Sequence, residues 1–409
     1  MIIKNTRIKG CSEIVLLKFM VIFIMIFNSC SKSDKPVNPA EPGNGGDPPV
    51  QVSPYFTKAE ETHQFSVNNL LTAYGSYRVN TTTNTNIAYE WYNTSQLYAD
   101  IAMVALGNEN YLSHMDKTFS WLQNMWDKNS PIGGYFAQAN IDGSGAAGDK
   151  YVDDNSLTGV IYLAAYDITA GSRKSEYLSK AKACANWLIN SGLWDDFKGG
   201  GFWWSTQKTY KPTQTNGLAL QLFSKLYKIT GEQIYKQWAE SVNTWLNNVM
   251  YDAPKGLYIW QYDNTGKKYS TFFTYDNAIM IEAFLLYADA MQDNSYISKA
   301  QAIGNAMNKV LWNSTYNLYI FNTDDIRTTP AWCGWGSQAM ISLYEKDNNN
   351  SWLSYAKGNI DGINVILRDK SLFGYYQFAS LNGAGRYTNM EGVDAAWMQR
   401  VQALLSKYK

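Results

Sequence analysis

The run Lys150-Tyr151-Val152-Asp153-Asp154-Asn155-Ser156-Leu157-Thr158-Gly159-Val160-Ile161-Tyr162-Leu163 opens polar and continues almost wholly apolar. A surface helix would alternate the two kinds at 3–4 spacing, so this pattern belongs to a helix enclosed by others. The opening recurs. Asn93 stands in Tyr92-Asn93-Thr94-Ser95-Gln96-Leu97, Asn216 in Thr215-Asn216-Gly217-Leu218-Ala219, and Asn277 in Asp276-Asn277-Ala278-Ile279-Met280. Trp335-Gly336-Ser337-Gln338 and Glu391-Gly392-Val393-Asp394 read as a fifth and a sixth copy. Successive copies lie roughly 55–62 residues apart, the length of two helices and their loops.

The grammar between copies also repeats. Each apolar helix turns through a short loop such as Ala170-Gly171 or Thr230-Gly231 into a more amphipathic one, as in Tyr177–Leu188. Each unit then ends in a glycine-and-aromatic piece that reads as a short extended segment: Gly133–Phe136, Gly200–Trp204, Gly256–Trp260, Asn317–Phe321 and Gly374–Phe378. Six helix pairs, none able to bury its apolar face alone, predict an all-α (α/α)6 toroid over residues 55–409, with short β-segments in the loops on one rim. An open solenoid has the same grammar without closure. The more uniformly apolar helices form the inner ring and the lysine-bearing ones the outer. Long loops and inner-helix N-termini then share one mouth, where a ligand is expected.

Composition narrows the function. Acidic and basic side chains balance at 35 each, which argues against a nucleic-acid partner. Two histidines, His63 and His114, show no partner pattern and read as surface or packing residues. With four cysteines and no CxxC or HExxH, no metal site and no cofactor is expected. Aromatic residues reach 15%, more than a core needs, and flat rings suit the apolar faces of sugars. Residues 1–29 carry Lys4, Arg7, Lys9 and Lys18 around an apolar stretch too short to span a bilayer, as a signal peptide does. Its end, Phe27-Asn28-Ser29-Cys30, resembles a bacterial lipoprotein signal, which would leave Cys30 lipidated; a plain signal peptide or an uncleaved anchor is the alternative. Residues 30–54 are Pro/Gly-rich and read as a tether. The expected product is a monomeric domain, lipid-anchored to the outer membrane and extracytoplasmic. Cys184, in a helical pattern, and Cys333, in a loop pattern, are expected to be free.

Three Asp-Asp pairs occur. Asp195-Asp196 follows an outer helix and suits turn formation, while Asp324-Asp325 lies in a loop before the fifth inner helix. Asp153-Asp154 opens the second inner helix. Capping needs only one such residue, whereas here Asp153, Asp154, Asn155 and Ser156 are consecutive. Neighbouring Cα atoms are about 3.8 Å apart, so the two carboxyl groups can lie ~5 Å apart, the spacing of a retaining glycosidase, although wider separations are also reachable. Close carboxylates repel, which raises one pKa and leaves an acid beside a charged base.

Tyr151-Val152-Asp153-Asp154-Asn155, Gly199-Gly200-Gly201-Phe202-Trp203-Trp204-Ser205, Asn216-Gly217-Leu218 and Phe273-Thr274-Tyr275-Asp276-Asn277 together resemble glycoside hydrolase family 76, the α-1,6-mannanases. The resemblance covers most of the domain. It implies an endo-acting, retaining hydrolase of α-mannan, with Asp153 as nucleophile and Asp154 as acid/base. The chain departs from the family pattern at Lys211–Thr215, where a Lys-Asn run is expected, and at Asp276, where Asn is expected. Tyr151, Trp203, Trp204, Asn216, Tyr275, Asp276 and Trp335 are the candidate sugar contacts, with capping or packing as their competing roles. Two alternatives accompany this reading: a non-catalytic glycan-binding surface lipoprotein, and a toroid hydrolase or lyase of another polysaccharide.

Overall fold

The computed structural model describes residues 53–83, 85–196 and 199–408, and the account below concerns the helical unit they form. The leader expected over residues 1–29, Cys30, and the expected tether up to residue 52 lie outside the described residues.

Among the described residues twelve α-helices alternate between two concentric layers. Labelled in chain order, the outer helices are α1 (Pro54–Asn69), α3 (Leu112–Leu122), α5 (Gly171–Asn190), α7 (Gln233–Trp245), α9 (Ser295–Val310) and α11 (Asn350–Ile366). The inner ones are α2 (Glu90–Ala105), α4 (Val152–Ile168), α6 (Thr213–Thr230), α8 (Thr274–Met291), α10 (Pro330–Asp347) and α12 (Gly392–Leu405). Each inner helix packs against the next, and α12 packs back against α2, so the ring is closed and the fold is an (α/α)6 toroid. Burial separates the layers. In α4 every residue from Val152 to Leu163 is buried, whereas α5 buries a stripe of Tyr177, Ala181, Cys184, Ala185 and Leu188.

One helix escapes the sequence pattern. Helix α1 precedes the first repeat opening and packs against α12, so the first and last helices together make the sixth pair. Contact between the first and last described helices thereby completes the double ring.

The recurring asparagine has a structural explanation. Asn155 accepts the Tyr135 N–H at 2.7 Å and donates to the carbonyls of Tyr135 and Tyr151. Asn93, Asn216 and Asn277 make the same three bonds to Tyr77 and Tyr89, to Phe202 and Pro212, and to Tyr258 and Phe273. Each clamps the glycine-aromatic segment onto the first turn of an inner helix and satisfies buried backbone groups. In the fifth repeat that position is Cys333, and Asn359 from α11 binds the Tyr319 N–H instead.

The expected extended segments are shorter than the sequence suggests. Leu257–Tyr258 and Leu318–Tyr319 are two-residue strands, while Tyr135, Phe202 and Tyr375 each make one antiparallel bridge, to Trp126, Trp194 and Arg368. Longer pairings lie elsewhere in the rim loops: Ile87–Tyr89 with Gln138–Asn140, and Tyr210–Pro212 with Gln261–Asp263. Cys333, expected in a loop, lies buried inside α10; it and Cys184 are free thiols. His63 is buried, packs against Tyr111 and His114, and places Nδ1 3.1 Å from the buried Asp100 carboxylate.

Candidate active site

An α-helix leaves its first backbone N–H groups unpaired, and side-chain caps usually fill them. The inner helices use loop carbonyls instead. The Glu90 N–H donates to Ala137 O, Val152 to Trp204 O, Thr213 to Trp260 O, Thr274 to Phe321 O and Gly392 to Val79 O. Helix α10 starts with Pro330, which has no N–H to satisfy. Of the acids in these first turns, Asp394 of α12 accepts the Ala331 N–H of α10 at 2.9 Å, and Asp153 of α4 accepts the Asp154 N–H at 3.2 Å. The residue preceding α4 is Tyr151, which makes no side-chain cap.

Asp153 sits among donors. The Trp204 indole N–H bridges its two oxygens at 2.9 and 3.0 Å, Gln214 donates to Oδ2 at 3.3 Å, and the Asp154 N–H donates to Oδ1 at 3.2 Å. Burial pushes its carboxyl up to about 7, with the Trp204 bond pulling the other way. Asp154 has no such relief. Burial raises it well above the usual carboxylate range, and the charges of Glu90 and then Asp153 raise it further. The two carboxyls thus differ in surroundings: hydrogen-bond donors favour the charged form of Asp153, while burial and neighbouring charges both oppose that of Asp154. Both keep an exposed edge, 7% and 9%.

Glu90 is the third carboxyl of the group and was not among the sequence candidates. It opens α2, is fully buried, and accepts bonds from Thr94 and Thr158 on Oε1. Burial pushes it up to about 8.

The aromatic candidates divide. Trp204 is 40% exposed and lies tilted against Tyr151, with ring centres 4.6 Å apart. Its neighbour Trp203 points inward: it is buried, donates to Asp195 and lies under the Lys211 ammonium. Tyr275 is half-buried at the mouth, beside Phe273, Phe321 and Trp332. Trp332 in turn meets Trp91, and these two rim rings were not anticipated.

Three expected sugar contacts belong to the framework. Trp335 lies five residues into α10, buried, stacked on Trp397 at 4.1 Å and bonded to Glu282. Asn216 is a buried clamp, and Trp203 is a core ring. Asp276 is fully buried at the start of α8, and burial raises its carboxyl well above the usual range. The other Asp pairs are also structural. Asp195 holds the buried Lys211 ammonium at 2.7 Å, and Asp325 binds Arg327 through both oxygens. Among the described residues no cluster of His, Cys, Asp and Glu has the arrangement of a metal site.

A closed helical toroid with paired carboxyls and aromatic rings at its loop end defines a class of sugar-active proteins. The sequence model of glycosyl hydrolase family 76 matches residues 58–329, and the chain belongs to that family. Its fold is shared with a GH76 α-mannanase of Bacteroides thetaiotaomicron, at TM-score 0.76 and 21% identity over 86% of this chain and 96% of that one. It is also shared with an inactive variant of an α-1,6-mannanase from Salegentibacter sp. HEL1_6, in which two consecutive aspartates are replaced by asparagine, in complex with α-1,6-mannotriose (TM-score 0.69, 17% identity, 86% and 99% coverage). A mannan endo-1,6-α-mannosidase of Saccharomyces cerevisiae is 28% identical over 144 residues, 32% of this chain and 31% of that protein. The match thus spans about a third of that relative's length.

Proposed function

We propose that this family member hydrolyses α-1,6-linked mannan internally, by double displacement at the Asp153–Asp154 pair. The observation that carries the reading is the unequal treatment of two adjacent carboxyls. Asp153, supplied with hydrogen-bond donors, attacks the anomeric carbon as its carboxylate. Asp154, without donors and under electrostatic pressure, protonates the departing glycosidic oxygen, then takes a proton from the water that releases the glycosyl-enzyme. Tyr151, Trp204 and Tyr275 offer ring faces to the sugar, and Gln214 fixes Asp153. The names of the folded relatives support mannan as substrate, and the Salegentibacter variant supports paired aspartates as the reacting groups.

The leader and Cys30 favour export and lipid anchoring of the domain to the outer membrane, which labelling of the cell-expressed protein with a fatty-acid analogue tests. For the reaction, purified protein is incubated with α-1,6-, α-1,2- and α-1,3-linked mannans and the products are resolved. Short α-1,6 oligosaccharides with the α-anomer formed first are expected. Asp153→Asn and Asp154→Asn each lower kcat by roughly 10³-fold or more without loss of cooperative folding. Wild-type activity in both variants, or capture of mannan without cleavage by the parent, overturns the reading.

A further inference from the structure

Of the inner-helix starting positions, Glu90 has the least ordinary occupant. The corresponding residues are Val152, Thr213, Thr274, Pro330 and Gly392. Thr213 and Thr274 bond backbone carbonyls, as structural residues do. Glu90 instead carries a carboxyl into complete burial, and its Oε2 has no hydrogen-bond partner among the described residues. An unpaired buried carboxylate oxygen is costly, and Glu90 shares this feature with Asp100, Asp276 and Asp394, so what sets it apart is its placement.

Its placement is set by α4. Thr158 donates to Glu90 Oε1, and Thr158 lies four residues after Asp154, on the same helix face and one turn further along. Thr94 ties the same oxygen from within α2 at 3.0 Å. Glu90 is thereby fixed between the two helices next to Asp154, on which its charge acts more strongly than that of Asp153.

We propose that Glu90 is a positioning residue for the reaction: a third carboxyl, held against Asp154 by Thr94 and Thr158, whose charge keeps the proton on Asp154. The inference rests on the reading of Asp154 as proton donor. The titratable groups that meet its charge are Asp153 and Asp154 on α4, Cys184 on α5 and Tyr135 in the hairpin before α4, with no cation among them. While Glu90 is neutral it acts weakly on Asp154. Once ionised, it opposes loss of the Asp154 proton. Activity therefore persists to higher pH with Glu90 than without it.

The test is the pH profile of kcat/KM on linear α-1,6-mannan. Glu90→Gln keeps the shape and an oxygen for both threonines but removes the charge. The basic limb is expected to move down by about one pH unit, with the acid limb, governed by Asp153, in place. Thr158→Val, which makes Glu90 harder to ionise, moves the basic limb the same way by less, and it serves if the first variant folds poorly. A basic limb unmoved in both variants overturns the proposal. Carboxyl ¹³C NMR, with Asp154 assigned through Asp154→Asn, separates this outcome from failure of the functional reading. If the parent cleaves no mannan, Asp154 must still lose its proton at lower pH in Glu90→Gln, and an identical titration overturns the proposal.

Discussion

The two ends of the ring axis hold similar residue types and treat them differently. At the end away from the long loops, the second halves of the inner helices line a cavity of about 270 Å³ that includes Arg400, Glu282 and Gln338. Its cations all have polar partners. Lys225 meets Asp167 at 2.6 Å, Lys346 and Lys228 share Asp289, and Arg400 is held by Gln338 Oε1 and the Tyr98 carbonyl while lying over the Tyr98 ring. At the loop end, Glu90, Asp153, Asp154 and Asp276 are buried near helix N-termini, and among the described residues no cation is paired to any of them. Helix dipoles favour acids there, but burial dominates and drives the carboxyls upward. A cavity marks available space. Uncompensated titratable groups mark where a fold keeps electrostatic energy for chemistry.

That contrast can be broken from either side. The largest effect is expected at the cavity end: Arg400→Met removes a buried charge from its partners and costs about 3 kcal/mol of stability, with kcat per folded molecule unchanged. Denaturant unfolding and active-site-normalised kinetics read the two quantities separately. Next comes the clamp. Asn216→Ala strands the buried N–H and carbonyl of Phe202 and costs about 2 kcal/mol; a raised KM at unchanged stability would restore Asn216 to the sugar site. The smallest effect sharpens the reactive end. Trp204→Phe removes the donor that favours ionised Asp153, so Asp153 holds its proton to higher pH. The acid limb of kcat/KM then moves up by about one pH unit, which a pH–rate profile measures.

Much of this was legible in the chain. The ring could be read because one asparagine makes the same clamp in four repeats, leaving a fixed residue at a fixed period. Where the clamp changes, legibility ends. Cys333 occupies the fifth clamp position, so the sequence register slipped onto Trp335 and passed over Trp332, the ring that stands at the mouth. Trp203 and Trp204 alternate as residues of an extended segment must, but which one faces outward depends on the bridge between Trp194 and Phe202. The Asp pair was legible because adjacency is itself a signal. Glu90 was not: its meaning comes from Thr158, on a different helix. Helix α1 lies before the repeats begin, and only ring closure gives it a partner.

In the proposed reaction the two neighbouring acids divide the labour, Asp153 attacking and Asp154 carrying the proton. A 2-deoxy-2-fluoro mannoside bearing a good leaving group slows turnover of a glycosyl-enzyme enough for peptide mass spectrometry to locate it. One sugar is expected on Asp153, assigned by fragmentation of the peptide that holds both aspartates, lost in Asp153→Asn and retained in Asp154→Asn. A label on Asp154, or release of inverted product with no covalent adduct, would contradict it.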